Sequence, residues 1–253
     1  MRIVQLVLCS LLSGALTATA VAAEEGQSAA RTELARLRTE LAGGYYARGQ
    51  YAVALEEVKT ALEAASDYGP AYNVQGLIYM DLGELDTAEQ SFQRALRIDS
   101  TNPDNNHNYG WFLCNKRARY PEAIRYFFAA LKNPLYATPV KSIQLVGICA
   151  LRGNDLAMAE EYLQRADRML PNNGQTVLGL AGLAYRRGEL QQARDLLLRQ
   201  ARLVSPSAES LWLNIRVERK LGNSDVEQGF AKELRTRFPD SPEAKLLAQQ
   251  KFD

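Results

Sequence analysis

The amino-acid sequence predicts an all-α protein built from a repeated pair of helices. Its 253 residues are 47% hydrophobic and 23% charged, which suits a globular chain with a sizeable core. Alanine and leucine dominate, only nine residues are proline, and alternating β-branched runs are missing. Small and aromatic residues also recur with a period of about 34 residues, which indicates a tandem helical repeat.

Residues 1–23 have the features of a cleaved secretory signal peptide. Arg2 supplies a positive charge, residues 3–12 form a mostly apolar run, and small residues follow up to Ala23. The run is too short for a membrane-spanning helix. We predict cleavage after Ala23; cleavage after Ala22 and retention as an N-terminal anchor are the alternatives.

The chain that remains after cleavage is electrically neutral. Without Arg2 it has 29 basic and 29 acidic residues, so charge gives no reason to expect binding to nucleic acid or to an anionic membrane. Residues 24–34 are polar and small, and we expect a flexible leader there.

Residues 35–239 carry the pattern of six tetratricopeptide repeats (TPRs), which predicts a TPR superhelix rather than an irregular helical bundle. Residues 69–102 fit the pattern best. Their first helix holds Tyr72, Gly76 and Tyr79, Gly83 turns the chain, and the second helix holds Ala88, Phe92 and Ala95. The third repeat has one extra residue in its turn, and the sixth is degenerate. Residues 240–253 are expected to form a short capping helix that begins after Ser241.

A search for catalytic chemistry finds little. His107 is the single histidine and lies among asparagines, without a serine or cysteine suitably placed for a triad. No zinc, phosphate-loop or dinucleotide motif is present in the sequence. We therefore expect no enzyme activity, no cofactor and no metal.

The concave groove of a TPR superhelix is lined by positions 2, 5, 6, 9, 12 and 13 of each first helix, here called the groove positions. A groove that mixes apolar and amide side chains suits an extended peptide or a partner helix. For Trp111, packing against the neighbouring repeat is an equal alternative. The chain is expected to bind protein as a monomer through the following residues: Tyr46, Asn73, Leu77, Met80, Asp104, His107, Asn108, Trp111, Gln144, Ile148 and Leu151.

Cys114 and Cys149 fall on the first helices of the third and fourth repeats, which pack side by side. A disulfide between them would close a loop of about 35 residues and stabilise the fold by about 3–4 kcal/mol. The alternative is two separately buried free thiols.

Several motifs in the chain closely resemble the PilW/PilF family of type IV pilus biogenesis and stability proteins. The resemblance covers about residues 35–240. It rests on Asn105-Asn106-x-Asn108-Tyr109-Gly110-Trp111-Phe112-Leu113-Cys114, Tyr120-x-Glu122-Ala123, Asn133-Pro134-Leu135-Tyr136-x-x-Pro139, Gly147-Ile148-Cys149, Leu221-Gly222-Asn223 and Arg237-Phe238-Pro239.

The resemblance implies a right-handed superhelix of six repeats at the inner face of the outer membrane. It also implies a non-catalytic role in multimerisation or placement of the pilus secretin and in fibre stability, with the paired cysteines as a disulfide. Family members are usually lipoproteins, whereas Cys9 follows Leu8 and lacks a lipobox. The protein is then either a soluble periplasmic factor or has a true start further upstream. A general periplasmic TPR adaptor for cell-envelope enzymes is the alternative function.

Overall fold

A computed structural model describes residues 25–252, and all regular structure in this range is helical, which confirms the all-α TPR class. The predicted signal peptide lies outside the described residues. No helix between residues 25 and 252 is long and apolar enough to cross a membrane. Thirteen helices follow one another in this range: α1 (25–46), α2 (Tyr51–Ala64), α3 (Gly69–Asp81), α4 (Leu85–Ile98), α5 (Pro103–Lys116), α6 (Tyr120–Leu131), α7 (Pro139–Arg152), α8 (Leu156–Met169), α9 (Gly174–Arg187), α10 (Leu190–Leu203), α11 (Ala208–Leu221), α12 (Ser224–Arg237) and α13 (Pro242–Ala248).

Tight turns join the two helices of each repeat. Gly83 has a φ of 82° and Gly188 a φ of 78°, a left-handed conformation that glycine adopts without steric cost. In the second repeat the backbone N–H of Glu84 donates to the carbonyl of Tyr79, five residues earlier, over 2.9 Å. These turns set the two helices of a repeat against each other, as α3 packs on α4 and α9 on α10.

The third repeat contains the extra residue that its sequence predicts. Its turn is closed by a hydrogen bond of 3.0 Å from the N–H of Arg119 to the carbonyl of Leu113, six residues earlier instead of five. Ala118 takes the left-handed conformation there, with a φ of 53°. The helical register is therefore restored before α6 begins.

The chain divides into two compact units, residues 1–109 and 110–253, with the boundary inside α5. In the first unit, α1 to α4 pack through small residues. A Cβ atom at Gly76 would lie 2.8 Å from the ring of Phe92, so only glycine permits this approach of α3 to α4. Phe92 in turn contacts the ring of Tyr109, with the two centroids 6.0 Å apart.

Residues 25–34 are helical, which corrects the prediction of a flexible leader. All ten residues are exposed, so the helix gains no burial there. The segment contains no proline, and it continues into a run stabilised by Arg36, which pairs with Glu33 and Glu40 one turn away on either side. Helix propensity and local ion pairs therefore extend α1 beyond the packed part of the repeat.

In the second unit, too, the two helices of a repeat approach closely at a small residue. A Cβ atom at Gly147 would lie 2.7 Å from Cγ and 2.9 Å from the backbone nitrogen of Leu163, so α7 approaches α8 closely at this point. In the sixth repeat the large Ile215 takes the equivalent position and is fully buried against α12 and α13. The predicted capping helix is present, and the Ser241 hydroxyl accepts the N–H of Ala244, but α13 ends at Ala248.

A buried ion pair joins α10 to α11. The side chain of Glu218 is 4% exposed and accepts hydrogen bonds from both Nε and Nη2 of Arg194 and from the amide of Asn223. The Arg194 guanidinium, with Asn223, outweighs the effect of burial and lowers the pKa of Glu218 below its usual value. The carboxylate is therefore ionised and fully hydrogen-bonded in the folded protein.

Glu218→Gln should lower the free energy of unfolding at pH 7 by about 2 kcal/mol, because it removes two charge-assisted hydrogen bonds in a buried setting. A lowered folded-state pKa stabilises the protein above the unfolded-state value of about 4.3, and this contribution is lost as the pH falls through the folded-state pKa. Urea denaturation at several pH values should therefore show a smaller loss of stability on acidification in the variant than in the wild type.

Glu233→Gln is the matched control, since Glu233 forms an exposed pair with Arg237 within α12. Its effect on unfolding should stay within about 0.5 kcal/mol. Equal effects of the two substitutions would show that the Glu218 pair does not contribute to stability as argued.

Candidate functional site

In the first unit, the predicted groove residues form a polar contact between first helices. The amide of Asn108 donates to Oδ1 of Asn73 over 3.2 Å and so connects α5 to α3. The hydroxyl of Tyr46 donates to Asp81 over 2.9 Å, and burial together with this carboxylate raises the pKa of Tyr46. Asn73 is buried, so its side chain serves contact between repeats.

The remaining predicted residues of the first unit differ in exposure. Leu77 and His107 are half-buried, Asp104 is exposed and Met80 is buried. His107 already takes part in an interaction within the described chain. Leu77 and Asp104 thus retain surface that a partner can reach.

The asparagines that open α5 are structural. Asn105 and Asn106 are buried. The amide of Asn106 donates to the carbonyls of Ser100 and Asn102 over 2.9 and 2.8 Å, and Asn102 Oδ1 accepts the N–H of Asn105. These side chains satisfy backbone groups between α4 and α5 that would otherwise lack partners.

In the second unit, Gln144 is buried and Trp111 is half-buried. The amide of Gln144 donates over 3.0 Å to Oδ1 of Asn173, the same atom that accepts the N–H groups of Gln175 and Thr176 at the start of α9. Gln144 therefore holds α7 to the N-terminus of α9 rather than presenting its amide to a ligand.

A groove of about 290 Å³ runs across the first helices of the last three repeats and onto α13, and we call it the C-terminal groove. Two of the predicted residues, Ile148 and Leu151, line it. The rest of its lining was not named from the sequence and comes from α7, α9, α11 and α13: Arg152, Gln175, Leu178, Gly179, Gly182, Tyr185, Arg186, Glu209, Trp212, Leu213, Arg216, Glu243 and Leu246.

The repeat register accounts for the lining residues that the sequence analysis missed. Counted from Gly174 at the start of α9, the six lining residues of that helix occupy all six groove positions. Counted from Ala208, the four lining residues of α11 occupy positions 2, 5, 6 and 9. The signal was therefore present in the sequence, and extending the register through the degenerate sixth repeat would have found these residues.

The C-terminal groove has an apolar floor and charged edges. Leu151, Leu178 and Leu213 form part of the floor. Arginine prevails at the edges: Arg152, Arg186 and Arg216 face only two lining carboxylates, Glu209 and Glu243. Arg152 lies 3.9 Å from Glu209, a distance at which the attraction is weak in water. Such a lining is suited to an extended peptide with both apolar and charged side chains.

Cys114 on α5 and Cys149 on α7 are buried, with their Cα atoms 6.0 Å apart and their sulfur atoms at bonding distance. This Cα separation lies within the range that disulfides require. Within residues 25–252, no group of three or more His, Cys, Asp or Glu side chains is arranged to hold a metal ion.

Comparison with known proteins places the chain among pilus proteins. The tetratricopeptide repeat family profile matches residues 39–103. The type IV pilus assembly protein PilF of Pseudomonas aeruginosa is 27% identical over 212 residues, which are 84% of each chain. The crystal structure of PilW, described as a widely conserved type IV pilus biogenesis factor, is 30% identical with a TM-score of 0.75, over 85% of this chain and 98% of PilW. The structure of P. aeruginosa PilF is 26% identical with a TM-score of 0.72, over 88% of this chain and all of the other.

Replacing both Cys114 and Cys149 by alanine should lower the free energy of unfolding by about 3 kcal/mol, because the loop of 35 residues is no longer closed in the unfolded chain. Dithiothreitol should shift the denaturation midpoint of the wild type and leave that of the double variant unchanged. Peptide mapping without reduction should recover one linked pair of peptides. Recovery of two separately alkylated peptides would instead establish two free thiols.

Proposed function

Because the chain belongs to the PilW/PilF family of type IV pilus biogenesis TPR proteins, we propose that it is a non-catalytic periplasmic scaffold for the pilus secretin. In this role it assists secretin assembly or placement in the outer membrane and supports fibre stability. The observation that carries the proposal is the C-terminal groove, whose apolar floor and charged edges suit a protein segment. The relatives' names supply the pilus assignment.

A second surface for the secretin is the outer face of α1. Leu34, Leu37 and Leu41 recur every three or four residues on this helix and are 42%, 45% and 48% exposed. They form an apolar stripe, and Leu37, Leu41 and Tyr45 line a shallow depression beside it. Since isolated exposed leucines are ordinary but a continuous stripe is not, this face supports contact with a partner through the first repeat.

The paired cysteines and the predicted signal peptide support an extracytoplasmic location, where disulfides persist. Under this proposal the disulfide between Cys114 and Cys149 stabilises the third and fourth repeats before a partner binds. A general periplasmic adaptor has the same fold and the same groove, so the partner itself must distinguish the two functions.

A strain lacking the protein should lose heat-resistant secretin multimers and twitching motility, and the wild-type gene should restore both. Leu41→Asp should fail to restore the multimers, because a carboxylate in the apolar stripe opposes its burial under a partner. Immunoblots of unboiled samples measure the multimers. The variant should fold normally, since Leu41 is already half exposed.

Val226→Asp is the matched control, because Val226 is 47% exposed, belongs to α12 and is not part of the stripe. It should restore multimers fully. Normal multimers and motility in the deletion strain would rule out the secretin role and favour the general adaptor. Full restoration by Leu41→Asp would remove the α1 face from the proposal.

A further inference from the structure

The C-terminal groove has a built-in depression at Gly182. This glycine lies inside α9, where glycine costs about 1 kcal/mol relative to alanine. Close helix packing explains Gly179, whose added Cβ atom would lie 2.8 Å from Leu163, but it does not explain Gly182. A Cβ atom at Gly182 would meet a single neighbouring atom within 4 Å, the terminal Cδ2 of Leu151 at 3.1 Å. The missing side chain thus leaves room on the floor of the groove.

One helical turn beyond Gly182, the groove carries cations without carboxylate partners. Arg186 is exposed, and within residues 25–252 its guanidinium donates to the amide oxygen of Asn154 over 3.1 Å. The adjacent Arg187, which points away from the groove, is instead paired with both oxygens of Glu160 at 2.9 and 2.6 Å. Arg186 therefore retains most of its five N–H donors for another acceptor.

Arg216 adds a second oriented cation on α11. Its Cζ atom lies 4.4 Å from the centre of the Tyr185 ring, and its Nε donates to the backbone carbonyl of Phe252 over 2.8 Å. The ring of Phe252 stacks on Trp212, with the centroids 5.4 Å apart. The turn that follows α13 therefore contacts two groove positions of α11: an aromatic side chain lies on Trp212 and a backbone carbonyl accepts from Arg216.

From these contacts we propose that the C-terminal groove binds an extended peptide segment in which an apolar side chain is followed, two residues later, by a carboxylate. The apolar side chain occupies the depression at Gly182 and the carboxylate pairs with Arg186, with Arg216 adding to the attraction. Gly182 and Arg186 are four residues apart on α9, a rise of about 6 Å along the helix. Alternate residues of an extended peptide are about 6.6 Å apart and point to the same side, which matches this spacing.

The proposal rests on the proposed scaffold role, and it adds the chemistry of the partner segment. Charge complementarity selects a carboxylate over an amide or a cation at the second position, because an arginine pairs with a carboxylate through two parallel hydrogen bonds. The apolar floor selects a peptide over a purely anionic polymer, which would leave the depression unfilled.

The test measures binding of fluorescein-labelled peptides to the purified full chain by fluorescence polarisation. The probe is an eight-residue peptide with a leucine, a serine and an aspartate in succession at its centre, flanked by phenylalanine, serine and glycine. The two comparison peptides carry asparagine for the aspartate or serine for the leucine. Each comparison peptide should bind at least tenfold more weakly than the probe, and added salt should weaken the binding of the two peptides that carry aspartate but not that of the asparagine peptide.

Two protein variants separate the two contacts. Arg186→Ala should abolish the preference for aspartate over asparagine and retain the preference for leucine. Gly182→Leu should fill the depression, abolish the preference for leucine over serine and retain the preference for aspartate, with no loss of thermal stability because helix propensity improves at this position.

Matched controls lie on the second helices of the same unit. Arg165→Ala removes an exposed arginine from α8, and Gly229→Leu adds a side chain to α12 at a glycine with open space around it. Both controls should bind the probe like the wild type. Equal affinity for aspartate and asparagine peptides, unchanged binding by Gly182→Leu, or no binding of the probe would each overturn the inference. None of these results bears on secretin multimers in the deletion strain, so a failure here is distinguishable from a failure of the proposed function.

Discussion

The structure depends on close approach between the two helices of a repeat at one small residue. Gly147 shows why: a single Cβ atom there would lie 2.9 Å from the backbone of α8, and backbone cannot move aside as a flexible side chain can. At Gly76 the obstacle is the fully buried ring of Phe92. Because one face of a first helix is buried against the second helix of its repeat, only its remaining face can contact neighbouring first helices or a partner. Packing within a repeat therefore determines which positions of a first helix can bind a partner, and the side chains at those positions determine what they can bind.

The available positions do not all serve binding. Asn73, Asn108 and Gln144 occupy groove positions, yet each hydrogen-bonds between first helices, where a buried amide must find a partner. At the same positions of α7 and α9, leucines, glycines and arginines line the C-terminal groove. One set of repeat positions thus has two roles: Asn73, Asn108 and Gln144 connect repeats, whereas mainly apolar and cationic side chains line the C-terminal groove.

The sequence was sufficient for the class of fold and the extra residue before α6, because small residues and turn glycines recur at a fixed period. Ser241 and Pro242 indicated the start of α13. The sequence was misleading for residues 25–34, where a polar, unburied segment is helical through local propensity and ion pairs. It identified Ile148 and Leu151 in the C-terminal groove, whereas the lining residues of α9, α11 and α13 were not predicted. The stacking of Phe252 on Trp212 could not be predicted, because no repeat position specifies it.

Degeneracy in the sixth repeat and the form of the groove have a common physical origin. After the sixth repeat, α13 and Phe252 pack on the apolar side chains of α11 and α12, among them the large Ile215. The same contacts hold Trp212 and Arg216 in defined positions at the end of the groove. Since a side chain that is already oriented loses less entropy when a ligand binds, the structures that terminate the array also prepare its last repeat for recognition. Departure from the repeat pattern at α11 is therefore compatible with a binding role, and weak repeat matches elsewhere in the chain carry no argument against one.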